Sequence, residues 1–402
     1  MKRKICFLTD SLFSIGGVQR VTAVIAKALA AQHDVTIVSF DQPGQKDTSL
    51  YGLDEADIHY RFFHYPSLNL QKRYGCKVYS AVYRKLRLPW RWASGLYAHS
   101  SFPSELRLAL AEELRQGQYD VIIGVHAPLA IRLAAVRPWL GRVKAIGWIH
   151  NSFEALYGPG SLYIGPELKR HYVLQLQKLD ETIVLCQHDA ETYQHYDAAS
   201  HPRVIYNPLT LKPGPVSEGT SKQFLAVGRF SHRHKGFDLL IDAFQLFAQH
   251  DAEWTLHIVG EGPEKQLYRQ KISDYGLEKR IFLHPFTQHI QAYYSQAQVY
   301  VLSSRWEGFG LVIVEAMAHG LPVVSSDLPT SREIMGDDAL YFPVGDAEAL
   351  AAQLLAATRQ DWPQQSAQAF AIARRFDVGT IMPQWQQLIS NTQHPSPITQ
   401  HP

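Results

Sequence analysis

Along the chain, short runs of apolar and β-branched residues alternate with longer stretches whose apolar positions recur every three or four residues. The short runs read as strands and the longer ones as amphipathic helices, and their alternation predicts parallel sheets covered by helices. In the first half the strand-like runs fall near Lys4–Thr9, Val35–Phe40, Ile58–Phe63, Val121–Val125, Val143–Ile149, Thr182–Cys186 and Arg203–Tyr206. A second series starts afresh at Phe224–Val227 and continues near Thr255–Val259, Ile281–Leu283, Val299–Leu302, Pro322–Ser325 and Leu340–Phe342. Between the two lies NPLTLKPGPVSEGTSK, rich in Pro, Gly, Ser and Thr, which reads as a linker. The pattern therefore predicts an α/β protein of two doubly wound domains, residues 1–206 and 223–375, joined by 207–222. Beyond them Phe376, Met382, Trp385 and Leu388 keep a helical spacing that predicts a helix over 376–392, and 393–402 reads as a disordered tail.

Composition changes this picture little. The 402 residues are too many for one compact core, and 46% hydrophobic with 19% charged residues is a globular balance. A net charge of +2 gives no overall case for binding nucleic acid. No apolar run reaches the ~18 residues of a membrane-spanning helix. The start, MKRKICFLTDSLF, reads as a first strand because Asp10 ends its apolar stretch. Cys6, Cys76 and Cys186 are scattered, which fits a reducing cytoplasm and supplies no metal motif. A cytoplasmic protein is expected.

One region departs from the balance. Residues 69–92, NLQKRYGCKVYSAVYRKLRLPWRW, hold seven Lys or Arg and no acid, together with Tyr74, Tyr79, Tyr83, Trp90 and Trp92. Basic and aromatic residues together suit an anionic membrane surface, an RNA-binding face, or a solvated helix packed by its tyrosines. A peripheral position at the inner face of the cell membrane is the expectation taken from it, and no nucleic-acid partner is expected.

Candidate chemistry sits where strands end. Gly16 and Gly17 follow the first strand and precede a helix, so backbone can approach an anion there, although the spacing is not the dinucleotide fingerprint. The second series repeats this in FLAVGRFSHRHKGFDLLIDAF, where Arg229 and Lys235 stand on the loop after Gly228. Ligands of doubly wound sheets bind at the carboxyl ends of strands, so an Arg fork and a Lys point charge there suit a diphosphate. His232 and His234 form an HxH with no third ligand nearby, so no metal is expected. VGEGPE, with Glu261, is a further strand-end glycine loop. RWEGFGLVIVEAMAHG then places Glu307 on a strand-end loop and Glu315 one to two turns into the following helix, with Gly308 and Gly310 baring backbone between them. Carboxylates are costly to bury in such apolar surroundings, and ionised ones accept sugar hydroxyls well.

Taken in order, the GG loop, GRFSHRHKG, VGEGPE, the E-x7-E from Glu307 to Glu315 and GLPVVSSD resemble glycosyltransferase family 4, retaining enzymes of the GT-B fold. The resemblance implies two Rossmann-like domains facing a central cleft, with a C-terminal helix crossing back to the first. It implies a nucleotide-diphosphate sugar, UDP-linked, as co-substrate, and neither cofactor nor metal. Arg229 and Lys235 would neutralise the diphosphate, and Glu315 would hold the ribose hydroxyls. Glu307 with Gly308, Phe309, Gly310 and Leu311 would hold the transferring sugar, with Glu261 also on the donor side. Gly16 and Gly17 would close over the diphosphate. His126, at a strand end before a helix, occupies a position where the family places a sugar-contacting histidine. His150 corresponds to an acceptor-side position, as does Gln19, where the family often carries an acid.

The activity so implied is transfer of a hexose-type sugar, with retention and an α-glycosidic product, to a glycan or lipid-linked oligosaccharide of a cell-surface polysaccharide or lipopolysaccharide. Glu307, His126, Arg229 and Lys235 form the catalytic set. A GT-B sugar-nucleotide epimerase or phosphorylase, or a non-catalytic glycan- or nucleotide-binding protein, are the rival readings.

Overall fold

The structure, a computed structural model, describes residues 2–86, 91–159, 161, 163–212, 214–231 and 234–391. The chain divides into two compact units, Met1–Tyr206 with Ile381–Pro402, and Asn207–Thr380.

The first unit is built on a sheet of β1 (Lys4–Thr9), β2 (Asp34–Ser39), β3 (Ile58–Phe62), β4 (Val121–Val125), β5 (Lys144–Trp148), β6 (Glu181–Val184) and β7 (Arg203–Val204). Its order is β3-β2-β1-β4-β5-β6-β7 and its pairs are parallel. Parallel strands are covered on both faces and so carry apolar side chains on both. Accordingly Ile5, Cys6, Phe7 and Leu8 of β1 are fully buried, in register with Val121–Gly124 of β4. The second unit carries β8 (Gln223–Val227), β9 (Thr255–Val259), β10 (Ile281–His284), β11 (Val299–Leu302), β12 (Val323–Ser326) and β13 (Leu340–Phe342), all parallel in the order β10-β9-β8-β11-β12-β13. Its core gathers Phe224, Phe244, Phe247 and Trp254 between the sheet and the helix Phe237–Phe247.

Every strand expected from the pattern is present, with each end within two residues of the expected one. β12 begins at Val323 because Pro322 has no N–H to give the ladder, and its carbonyl instead accepts from the Tyr300 amide at 3.0 Å. In each sheet the order reverses once, between β1 and β4 and between β8 and β11. Ligands of open α/β sheets bind outside the carboxyl ends of the strands at such points.

Residues 207–222, expected as a linker, are held within the second unit. The Leu209 amide donates to the Phe376 carbonyl at 2.7 Å and the Ser217 amide to the His319 carbonyl at 3.1 Å, and both residues are buried. The helix Val378–Ser390 carries the chain's final apolar pattern. Within the first unit, its Trp385 ring lies 4.7 Å from that of Trp148, and Lys144 Nζ donates to the carbonyls of Leu388 at 2.7 Å and Asn391 at 2.8 Å. An ammonium satisfying final-turn carbonyls is a C-terminal cap made by a buried side chain. The tail 393–402 lies outside the described residues.

Further helices of the first unit include α1 (Gly17–Ala30), α2 (Leu70–Leu86), α3 (Arg91–Ser101), α4 (Ser104–Gln116) and α5 (Ala127–Val136). Of the basic–aromatic region 69–92, residues 70–86 form α2 and 91–92 open α3, while 87–90, Trp90 among them, lie outside the described residues.

Candidate active site

In the second unit the loops after β8 and β11 leave the two strands between which the order reverses. They are tied together by backbone and side chain. The Arg305 amide donates to the His234 carbonyl at 2.8 Å, and the Ser303 hydroxyl donates to the Lys235 carbonyl at 2.7 Å. Arg305 also grips Asp238, in the first turn of the helix after β8, through two parallel bonds of 2.9 and 2.8 Å. Such close contact requires glycine at 236. Its φ is 61°, and a Cβ there would lie 2.0 Å from the Ser303 carbonyl oxygen.

This arrangement brings Lys235 and Glu307 together. Lys235 Nζ lies 2.6 Å from Glu307 Oε1, and Ser304 Oγ donates to the same oxygen at 2.5 Å. Oε2 thus carries the carboxylate's remaining acceptor capacity among the described residues. Burial pushes the Glu307 carboxyl up, but the Lys235 ammonium, the His234 ring and the hydrogen bonds from Lys235 and Ser304 outweigh it. The group consequently titrates below the ordinary carboxylate range. The His234 ring stacks on Trp306 at 4.7 Å, and its Nε2 donates to the Trp306 carbonyl at 2.7 Å, which fixes the backbone just before Glu307. His234 itself is lowered by burial, against the upward pull of Glu307. His232, the other half of the HxH, lies outside the described residues.

Glu315 is the fifth residue of the helix Leu311–Met317 and is 2% exposed. Thr210 Oγ1 donates to its Oε1 and Tyr294 Oη to its Oε2, each at 3.1 Å. Each carboxylate oxygen thus accepts a neutral hydroxyl. Arg229 is exposed on the loop after β8. Gly310 has φ 86° and turns the chain into the Glu315 helix, Phe309 is buried against Phe376 at 5.6 Å, and Gly308 and Leu311 are half-buried beside them. Glu261 is exposed and ion-paired with Lys265 at 2.6 Å.

The reversal in the first unit carries a different set. Gly16 and Gly17 follow β1, and Gly17 opens α1. The Gly16 amide donates to Tyr51 Oη at 3.0 Å, and that hydroxyl donates on to the Ser14 carbonyl at 3.0 Å, so one phenol shapes the glycine loop. Gln19 is half-buried, and its Oε1 occupies the space a Cβ on Gly16 would need. His126 follows β4 and caps α5 with φ 75° and ψ 152°, a backbone region nearly confined to glycine. Its ring lies 5.5 Å from that of His150, which follows β5 and packs 4.3 Å from Trp148. His150 Nε2 is shielded from solvent and has no hydrogen-bond partner among the described residues. Burial lowers both imidazoles, His150 well below its usual value with a further push from His126, and His126 against an upward pull from Asp10.

The sequence reading singled out both glutamates, Lys235 and both histidines, and overlooked what holds them. Ser304 stood just before the quoted motif, two residues past the strand end. Thr210 lay in a segment read as linker, and Tyr294 and Tyr51 lay in runs with no distinguishing pattern. In chemical terms the second unit offers the Lys235–Glu307 ion pair, the exposed cation Arg229 on the same loop as Lys235, and a second buried carboxyl group at Glu315, a set suited to an anion carrying hydroxyls. The first unit presents mainly neutral hydrogen-bonding groups, with the Asp41 carboxylate accepting from the Leu12 amide at 3.2 Å.

Two family models match the two parts of the chain separately. Residues 15–212 match the family described as Glycosyltransferase Family 4, and residues 221–360 match Glycosyl transferases group 1. The chain is 28% identical over 327 residues to an uncharacterized glycosyltransferase of Haemophilus influenzae, covering 80% of each. It is 31% identical over 224 residues to the amylovoran biosynthesis glycosyltransferase AmsD of Erwinia amylovora, covering 52% of this chain and 62% of that one. Among solved structures, Anabaena HepE in complex with UDP-glucose aligns with a TM-score of 0.71 at 21% identity, over 96% of this chain and 99% of that one. That likeness shows the fold, GT-B. The chain belongs to glycosyltransferase family 4 and is a glycosyltransferase.

Proposed function

We propose that the chain is a retaining enzyme that moves a hexose-type sugar from a UDP-sugar to a glycan or lipid-linked oligosaccharide acceptor in cell-surface polysaccharide or lipopolysaccharide synthesis, forming an α-glycosidic bond. The observation that carries this reading is the buried Lys235–Glu307 pair at the β8/β11 reversal. AmsD, named for amylovoran biosynthesis, and HepE, solved with UDP-glucose, support the acceptor and donor classes. Arg229 and Lys235 take the diphosphate, and their charge stabilises it as it leaves. Glu307 accepts hydrogen bonds from sugar hydroxyls, aided by Gly308, Phe309, Gly310 and Leu311. Glu315 takes the ribose, and Glu261 stands on the donor side.

From the first unit, Gly16 and Gly17 serve the diphosphate, His126 the sugar, and Gln19 and His150 the acceptor. Neutral imidazoles suit hydrogen bonding to hydroxyls. No carboxylate is assigned as nucleophile. The acceptor hydroxyl attacks on the face the diphosphate leaves, and a departing phosphate oxygen takes its proton. The reaction needs no metal or other cofactor. The enzyme works in the cytoplasm, at the inner face of the membrane.

A thermal-shift screen against nucleotide sugars tests the donor, since a ligand at a hundred times its dissociation constant stabilises by roughly 2.7 kcal/mol. Product analysis with labelled donor tests the stereochemistry. Absence of stabilisation by any UDP-sugar, or a β-linked product, overturns the reading.

A further inference from the structure

α2 is fastened to the protein along one narrow side. Tyr83 is buried and stacks on Tyr97 of α3 at 4.6 Å, Tyr79 Oη donates to the Ala93 carbonyl at 3.2 Å, and the hydroxyls of Ser80 and Ser100 meet at 2.9 Å. α3 is anchored in turn, with Ser94 Oγ 2.8 Å from the buried His171 Nδ1 and Arg107 Nη2 donating to the Ala98 carbonyl at 3.2 Å. The pair is thus a rigid element bound from one side.

The side of α2 away from α3 is apolar where solvent-facing helices are usually polar. Leu70, Tyr74, Val78, Val82 and Leu86 follow one another every four residues, and all are exposed, Leu70 by 82% and Tyr74 by 73%. On α3, Trp92 and Leu96 are exposed as well and stand four residues apart. Residues four apart stand on one helix face, winding slowly round it, so this is a continuous stripe and not scattered exposure. Set among it, Arg73, Lys77 and Lys85 are exposed, and residues 69–92 contain no acid.

We infer that α2 and the first turns of α3 form a platform for an anionic lipid bilayer, with α2 lying in the headgroup plane. This names the partner of the membrane-facing part of the proposed function and rests on that part, not on the transfer chemistry. The stripe supplies buried apolar area, and Trp92 and Tyr74 suit the headgroup level. The interleaved cations select negative lipid and oppose the alternative occupant, a second copy of the same face, because two such surfaces repel. Among the described residues no helix is long and apolar enough to cross a membrane, so the contact is with the surface.

Vesicle flotation of the full chain tests this, with phosphatidylcholine alone and with added phosphatidylglycerol. The expected result is binding to the anionic vesicles and little to the neutral ones. Tyr74→Ser with Val78→Ser should cut binding at least tenfold. Arg73→Gln with Lys77→Gln and Lys85→Gln should cut it roughly a hundredfold and weaken its salt dependence. These side chains are exposed, so both variants should keep the parent melting temperature.

No binding to either vesicle overturns the inference, as does equal binding to both. So does a concentration-dependent dimer that the same substitutions abolish. Stabilisation by UDP, read on the same samples, separates this inference from the proposed function. Stabilisation without vesicle binding sinks the platform alone, and vesicle binding without stabilisation sinks the donor reading alone.

Discussion

The loops after β8 and β11 and the loops after β1 and β4 leave equivalent points of two sheets, yet they are held by opposite means. In the second unit the holding groups are charged: Lys235 on Glu307, and Arg305 on Asp238. In the first they are mostly neutral: Tyr51 threaded between Gly16 and Ser14, a histidine in a backbone region nearly reserved for glycine, and a second histidine ring 5.5 Å from it, with the Asp41 carboxylate accepting from the Leu12 amide. The contrast teaches that a strand-order reversal supplies a crevice and helix starts, and the residues lining it decide what the crevice takes. Charges paired with each other can be handed to a charged ligand at small net cost. Neutral groups held by strain and hydrogen bonds suit uncharged hydroxyls.

The comparison breaks most clearly at Lys235. Lys235→Met leaves the Glu307 carboxylate buried against Ser304 alone, which should cost about 3 kcal/mol in urea unfolding and a hundredfold or more in sugar transfer. A loss of activity without loss of stability would mean the pair is not structural. Glu307→Gln should lower transfer about a hundredfold while moving stability by less than 1 kcal/mol, because Lys235 can turn to water. Assays of turnover with Arg229→Ala alongside show whether both cations serve the same step.

On the neutral side, His126→Gly should raise stability by about 1 kcal/mol by relieving the backbone while transfer falls, and His126→Ala should lower transfer without that gain. Equal melting temperatures for the two variants would remove strain from the account. Tyr51→Phe deletes the hydroxyl shared by Gly16 and Ser14. It should cost about 1 kcal/mol and raise the Michaelis constant more than it lowers turnover.

The smallest effect is one of pH. The Glu307 carboxyl is held below its unfolded value of about 4.3, so its contribution is complete above that pH and is lost as pH falls through the lower folded value. In Lys235→Met burial dominates and the sign reverses, with stability declining as pH rises through the raised value. Urea midpoints across the acid range would show the two slopes.

The strands were legible because parallel strands buried on both faces leave short apolar runs bounded by polar residues and turns. Glu307, Glu315 and Lys235 were legible because charge beside such runs is conspicuous. Thr210 was not: it lies in a stretch whose prolines and glycines read as a tether, although Leu209 and Ser217 fasten that stretch to the second unit. Tyr294 and Tyr51 act through a single hydroxyl each, at the end of a ring that composition counts only as aromatic. A hydrogen-bond partner reached across 35 or 21 residues leaves no periodic trace.

The closing helix has a consequence for how the protein is made. Trp148 and Lys144 belong to β5, yet what covers them, Trp385 and the carbonyls of Leu388 and Asn391, is translated some 240 residues later. The second unit is one unbroken stretch of chain and can fold while it is being synthesised. The first unit, begun earlier, waits with part of its sheet uncovered until that stretch has passed, so on the ribosome the domain that starts first is the last to be finished.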